Sequence, residues 1–166
     1  LVTGGGTGLG RAMGEHFLSL GAELAICGRR KAVCDETAAA WRQQFPGRRI
    51  DTFGVDIRIA QAVEEMVDSL WQTGGLTGLV NNAATNPHAG PLIDVPLSMW
   101  DKTHEVNLRG PLAWTQLAWQ TWMRDNGPVV INIASVGGFK TSNKLGVYGV
   151  FKAGLVHMTK QLASEM

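Results

Sequence analysis

Apolar positions along the chain change their period several times, and each change marks the boundary of an element. Leu9, Met13, Phe17 and Leu20 recur at helical spacing and predict a first helix, with Gly21 suited to a left-handed cap at its end. Leu24 to Cys27 is a short apolar run of the kind that forms a buried strand. A second helix is expected from Ala32 to Phe45, stopped by Pro46-Gly47, and Ile50 to Val55 reads as the next strand. Val63, Met66, Val67, Leu70 and Trp71 form the cleanest helical stripe; Gly74-Gly75 ends it and Leu79-Val80 begins a fourth strand. After a proline-rich loop, Ser98 and Asp101 suggest a capped helix start. Val129 to Ile133 reads as another buried strand, and Tyr148 to Met166 as a last helix.

Strands therefore alternate with helices, which predicts an α/β fold with a doubly wound parallel sheet between two helical layers. Ligands of such sheets bind at the carboxyl ends of the strands, where the winding reverses. No repeat or linker divides residues 1–166, so one domain is expected. Both ends read as cut. Leu1-Val2 runs straight into a glycine turn and the last helical pattern stops at Met166 without a cap, so the last strands of the sheet are expected to be missing.

Composition narrows the function by exclusion. A hydrophobic content of 45% supports a packed core, while 17% charged residues and a formal net charge of +1 give no global field for nucleic acid or an anionic membrane. Cys27, Cys34 and four scattered histidines match neither a disulfide framework nor a metal-ligand spacing, so no metal is expected. No apolar run approaches the roughly 20 residues that span a bilayer. A soluble cytoplasmic protein with reduced thiols is expected.

The chemistry gathers at predicted strand ends. Thr3-Gly4-Gly5-Gly6-Thr7-Gly8-Leu9-Gly10 joins strand to helix, where backbone amides and the helix dipole can hold a pyrophosphate. Its glycines at 4, 8 and 10 make G-x-x-x-G-x-G rather than G-x-G-x-x-G, and a sharp strand-to-helix turn is the competing reading. The second strand ends in Gly28-Arg29-Arg30 with no acid to take adenosine ribose hydroxyls, so NADP(H) is favoured, with NAD possible. Arg29 is the better placed of the two arginines. Tyr148 and Lys152 stand four apart on one helical face, where a fixed ammonium favours a phenolate and makes the phenol a usable acid/base; taken alone, an ordinary helical surface pair is the competing reading. Ser135 follows a strand and faces the same crevice, positioned to hydrogen-bond a carbonyl oxygen as it gains charge; a turn-capping serine is the competing reading.

Together these motifs resemble the short-chain dehydrogenase/reductase family, in its type with a single Rossmann domain for cofactor and substrate. Residues 3–10 match its T-G-x-x-x-G-x-G, Asn81-Asn82-Ala83-Ala84 resembles its N-N-A-G, and Asn107, Ser135, Tyr148 and Lys152 match its tetrad in order. The resemblance implies hydride transfer between NADPH and a small-molecule ketone or secondary alcohol, with Tyr148 as acid/base and Ser135 orienting the substrate oxygen. It implies that Lys152 binds the nicotinamide ribose and stabilises the phenolate, and that Asn107 holds a relay water at a helix kink. Thr3, Gly4, Thr7, Gly8, Leu9, Gly10, Arg29, Arg30, Asp56, Ile57, Asn82, Ala83, Ala84, Tyr148 and Lys152 are the expected cofactor contacts, Asp56 at the adenine. Ala84 departs from the family glycine and leaves the local backbone angle open. A non-catalytic dinucleotide sensor and an inactive fragment are the alternatives.

Two further expectations concern the surroundings. Leu112 to Met123 is apolar nearly all round, with three tryptophans, and matches the family helix that packs against its own copy, so a homodimer or homotetramer is expected. The segments 86–96 and 136–147 are expected to border the substrate; Lys140 and Lys144 could meet an anionic one, although ordinary surface lysines are the favoured reading.

Overall fold

The computed structural model describes residues 1–72, 74–127 and 129–166, with only the backbone of Trp71. Five strands, β1 (Val2–Thr3), β2 (Leu24–Gly28), β3 (Ile50–Gly54), β4 (Gly78–Asn81) and β5 (Val129–Asn132), pair in parallel in the order β3-β2-β1-β4-β5. Helices α1 (Gly8–Ser19), α2 (Lys31–Gln44) and α3 (Ala60–Trp71) make the first three crossovers. A longer helical run contains α4 (Leu97–His104), α5 (Gly110–Ala118) and the single turn α6 (Arg124–Asn126), and α7 (Gly146–Glu165) follows β5. This is the doubly wound Rossmann arrangement.

Period-two alternation in the strands builds a core on each face of the sheet. Ile26 and Val80 join Leu18, Cys34 and Trp41 beneath α1 and α2, while Ala25, Cys27 and Leu79 join Val63, Met66, Val67, Leu70 and Trp114 beneath α3 and α5. Fully burying one such Leu, Val or Met side chain contributes about 1.5–3 kcal/mol, so these clusters carry the fold. The stripe read on α3 is buried as expected, except that the Trp71 side chain lies outside the described residues.

Four local expectations need correction. The strand read as buried from Val129 to Ile133 forms, as β5, but it is the edge of the described sheet and its Val129 and Ile131 are exposed. On α1 the buried residues are Gly10, Gly14 and Leu18, with Met13 and Phe17 half-buried; Leu9 and Leu20 are exposed. The stripe is rotated because Gly10 and Gly14 let the helix lie close to its neighbours: a Cβ at residue 14 would sit 2.7 Å from the Trp41 ring of α2 and 3.0 Å from the Leu24 side chain of β2. Gly21 does take a left-handed angle, φ +96°, and its N–H donates to the Leu18 carbonyl. Ser98 does not cap α4, which begins after Pro96 with no side-chain cap. The 112–123 segment is not apolar all round: Trp114, Ala118 and Met123 are buried, but Ala113, Gln116, Gln120 and Thr121 form an exposed stripe. No helix among the described residues is long and apolar enough to cross a membrane.

Candidate functional site

The winding reverses between β1 and β4, and a cleft of about 640 Å³ opens beyond their carboxyl ends. Gly4, Thr7, Gly8, Leu9 and Gly10 line it from the glycine turn, Arg29 and Arg30 from the end of β2, Asp56 and Ile57 from beyond β3, and Asn82, Ala83 and Ala84 from beyond β4. Thr3 lies underneath. Its buried hydroxyl accepts from the amides of Asn82 and Ala83, each at 3.0 Å, and so joins the ends of β1 and β4. Ala84 has no left-handed angle, so the departure from glycine costs no backbone strain.

The turn is shaped for a charged group held by backbone. Gly4 and Gly8 have φ of +66° and +53°, and the Asn82 amide donates to the Thr3 carbonyl at 2.9 Å. A Cβ at residue 10 would run into the Gly4 carbonyl and the Asn82 amide. Thr37 secures the far side by donating to the Gly6 carbonyl at 2.9 Å. The first turn of α1 has neither a side-chain cap nor an acidic residue, which leaves its amides for an anion. This cradle suits a pyrophosphate.

Asn107 lies in a π-helical turn, Glu105–Arg109, between α4 and α5. Pro111 has no N–H to give the carbonyl four residues back, that of Asn107, and the helix widens so that the Gly110 N–H reaches Glu105 instead. The Asn107 side chain is fully buried; its Oδ1 accepts from the Thr85 amide and its Nδ2 donates to the Thr85 carbonyl, both at 2.8 Å. Because Thr85 lines the cleft, Asn107 fixes the cleft wall.

Lys152 is only 2% exposed and has no carboxylate partner among the described residues. Its Nζ donates to the Ile133 carbonyl at 2.6 Å and lies 5.6 Å from the centroid of the Tyr148 ring. Burial holds its pKa below the ordinary lysine value. One hydrogen bond leaves this ammonium with donors to spare. Ser135 caps the short turn Val136–Gly138, its Oγ accepting from the Gly137 amide at 3.1 Å. The capping and substrate-facing readings are therefore compatible, since the bond uses a lone pair and leaves the hydroxyl proton. Glycines bring this turn onto α7: a Cβ at residue 138 would lie 2.8 Å from the Lys152 backbone, and one at residue 149 would lie 2.8 Å from the Gly137 carbonyl. Trp100 of α4 meets Phe151 edge-on at 4.7 Å and sets α7 from the other side.

Several groups escaped the sequence reading. Arg58, Lys102, Thr85 and Val106 also line the cleft, and Arg58 grips Asp56 with two guanidinium bonds. Asn81 donates to Asn132 and Asn132 donates to Thr159, each at 2.9 Å, tying β4, β5 and α7 together in the interior. The Asp56–Arg58 spacing was a usable signal; the asparagine chain needs strand register to be seen. Residues 86–96 and 136–147 do meet, through the Gly146 N–H donating to the Gly90 carbonyl at 3.2 Å, and a cavity of about 380 Å³ there is lined by Leu92, Phe139, Lys140, Leu145 and Val150. Lys144 is exposed and outside that lining.

Comparison with known proteins gives a consistent result. The family model described as short chain dehydrogenase matches residues 1–166. Dehydrogenase/reductase SDR family member 4 of Oryctolagus cuniculus is 32% identical over 167 residues, covering 100% of this chain and 64% of that protein. A crystal structure of levodione reductase superposes with a TM-score of 0.92 at 30% identity, over 98% of this chain and 64% of the other. One of NAD+-bound xylitol dehydrogenase gives 0.92 at 23% identity, over 99% and 63%, a likeness of fold. The chain thus spans 59% to 70% of the length of the curated relatives it matches.

Proposed function

Because the chain belongs to the short chain dehydrogenase family, we propose that the protein is an NADP(H)-dependent oxidoreductase acting on a ketone or its secondary alcohol. The observation that carries this reading is the buried Lys152 ammonium beneath the Tyr148 ring, with no acid among the described residues paired to it. A cation held there stabilises the phenolate, so Tyr148 can give its proton to a substrate oxygen and take it back. Ser135 donates its remaining hydroxyl proton to the same oxygen and counts most when that oxygen carries developing charge. The spare donors of Lys152 suit ribose hydroxyls, and Asn107 keeps the Thr85 wall in register with α7. When bound, the nicotinamide supplies or accepts the hydride. Leu92, Phe139, Leu145 and Val150 favour a substrate with an apolar substituent, because they offer mainly hydrocarbon to it.

NADP(H) is preferred because two arginines and no acid close β2. Neither the Arg29 nor the Arg30 guanidinium has a hydrogen bond or ion pair among the described residues, which leaves both for a 2′-phosphate. The test is absorbance of NADPH with the full-length protein and a panel of ketones, alongside Arg29→Ala. Ketone-dependent NADPH consumption is expected, with Arg29→Ala losing about tenfold or more in affinity for NADPH and far less for NADH. Equal losses for both cofactors would remove the argument for NADP(H), and no consumption with any ketone would remove the activity.

A further inference from the structure

The cleft holds four basic side chains, Arg29, Arg30, Arg58 and Lys102, and one acidic one, Asp56. A carboxylate there is a liability for a phosphate ligand twice over: it repels the dianion, and it competes for the guanidinium that would bind it. Asp56 is not left to do either. Arg58 donates from Nε to Oδ1 at 2.9 Å and from Nη2 to Oδ2 at 2.6 Å, and its backbone amide donates to Oδ1 at 3.1 Å. The remaining arm of the guanidinium lies 3.8 Å from Glu105 in the π turn, which steadies the fork from behind. The Asp56 side chain is 19% exposed, so the pair is partly shielded from solvent.

We propose that Arg58 is a positioning residue for cofactor choice: by occupying both oxygens of Asp56 it leaves the Arg29 guanidinium available to a 2′-phosphate. The inference rests on the reading of this cleft as an NADP(H) site. Electrostatics supports the geometry, since Asp56 is held below the usual aspartate range by Arg58 first and also by the charge of Arg29. The same carboxylate is therefore felt by both arginines. Without Arg58, Arg29 would be the strongest cation left to it and would be drawn towards Asp56. The backbone bond to Asp56 does not use the Arg58 side chain, so Arg58→Ala and Arg58→Lys keep it and the form of the turn before α3.

The experiment is calorimetric titration of the full-length protein with NADPH and with NADH, in wild type, Arg58→Ala, Arg58→Lys and the double variant Arg58→Ala/Asp56→Asn. The readout is the ratio of the two dissociation constants. Arg58→Ala is expected to lower the preference for NADPH about five- to tenfold, and Arg58→Lys to keep more of it. Adding Asp56→Asn should restore most of the loss, because the competing charge is gone. A merely structural role for Arg58 would weaken both cofactors alike and would not be rescued. A wild-type protein that prefers NADPH, with a ratio unmoved by Arg58→Ala or a double variant no better than the single one, overturns this inference alone. A wild-type protein with no preference for NADPH overturns the reading of the cleft and this inference with it.

Discussion

Asn107 and Cys27 show how much a single side chain can carry here. Both polar ends of the Asn107 amide are spent on the Thr85 backbone in a fully buried place, so Asn107→Ala leaves an amide and a carbonyl without partners. The expected cost is about 2–4 kcal/mol in denaturant-induced unfolding, together with weaker cofactor binding, because the cleft wall is freed. A variant as stable as the wild type would mean that water replaces the lost bonds. At Cys27, burial pushes the thiol up to about 12. Raised above its unfolded value near 8.5, this thiol contributes stability that is present below about pH 8.5 and declines as pH rises towards 12. Chemical denaturation as a function of pH should therefore show a steeper alkaline decline for the wild type than for Cys27→Ala. Parallel curves would contradict the assignment.

Among elements, what could be read from the sequence and what could not separate by range. The α3 stripe and the run at Leu24 depend on local periodicity, and both were legible. The face of α1 was not, since apolar side chains mark a helix face only when side chains make the contact, and on α1 the contact is made by Gly10 and Gly14. Gly14→Ala tests this. Alanine improves intrinsic helix propensity by about 1 kcal/mol, but its methyl would press on Trp41 and Leu24, so a net loss of about 1–2 kcal/mol is expected. A stabilised variant would show that the ring can move aside. The π turn at Asn107 was foreshadowed by Pro111, yet the partner it gives Asn107, Thr85, lies 22 positions away in sequence and emerges only from the fold. Tyr148, Lys152 and Ser135 were legible because spacing and strand ends place them. Arg58 stands two residues from Asp56, a usable signal, but the charge of Arg29 acting on the same carboxylate emerges only from the fold.

For the whole molecule, the sheet order puts the ends of β1 and β4 side by side and so makes the cleft; α7 then brings Tyr148 and Lys152 beside β5. Self-association is a separate proposal. The exposed stripe on α5 and the turn after it is Ala113, Gln116, Gln120 and Thr121, so an interface there would be small-residue and polar rather than the greasy face expected from its tryptophans. Light scattering of the full-length protein at micromolar concentration is expected to give a dimer or tetramer, and a monomer would end that proposal. The central claim is that the glycine-turn cleft and the Tyr148–Lys152 turn form one catalytic site. Its most direct test is Tyr148→Phe in the full-length protein, with NADPH binding and ketone-dependent NADPH consumption measured on the same preparation. Binding is expected within about twofold of wild type and turnover to fall by about 100-fold or more; equal turnover in the two proteins would rule out Tyr148 as the acid/base of a shared site.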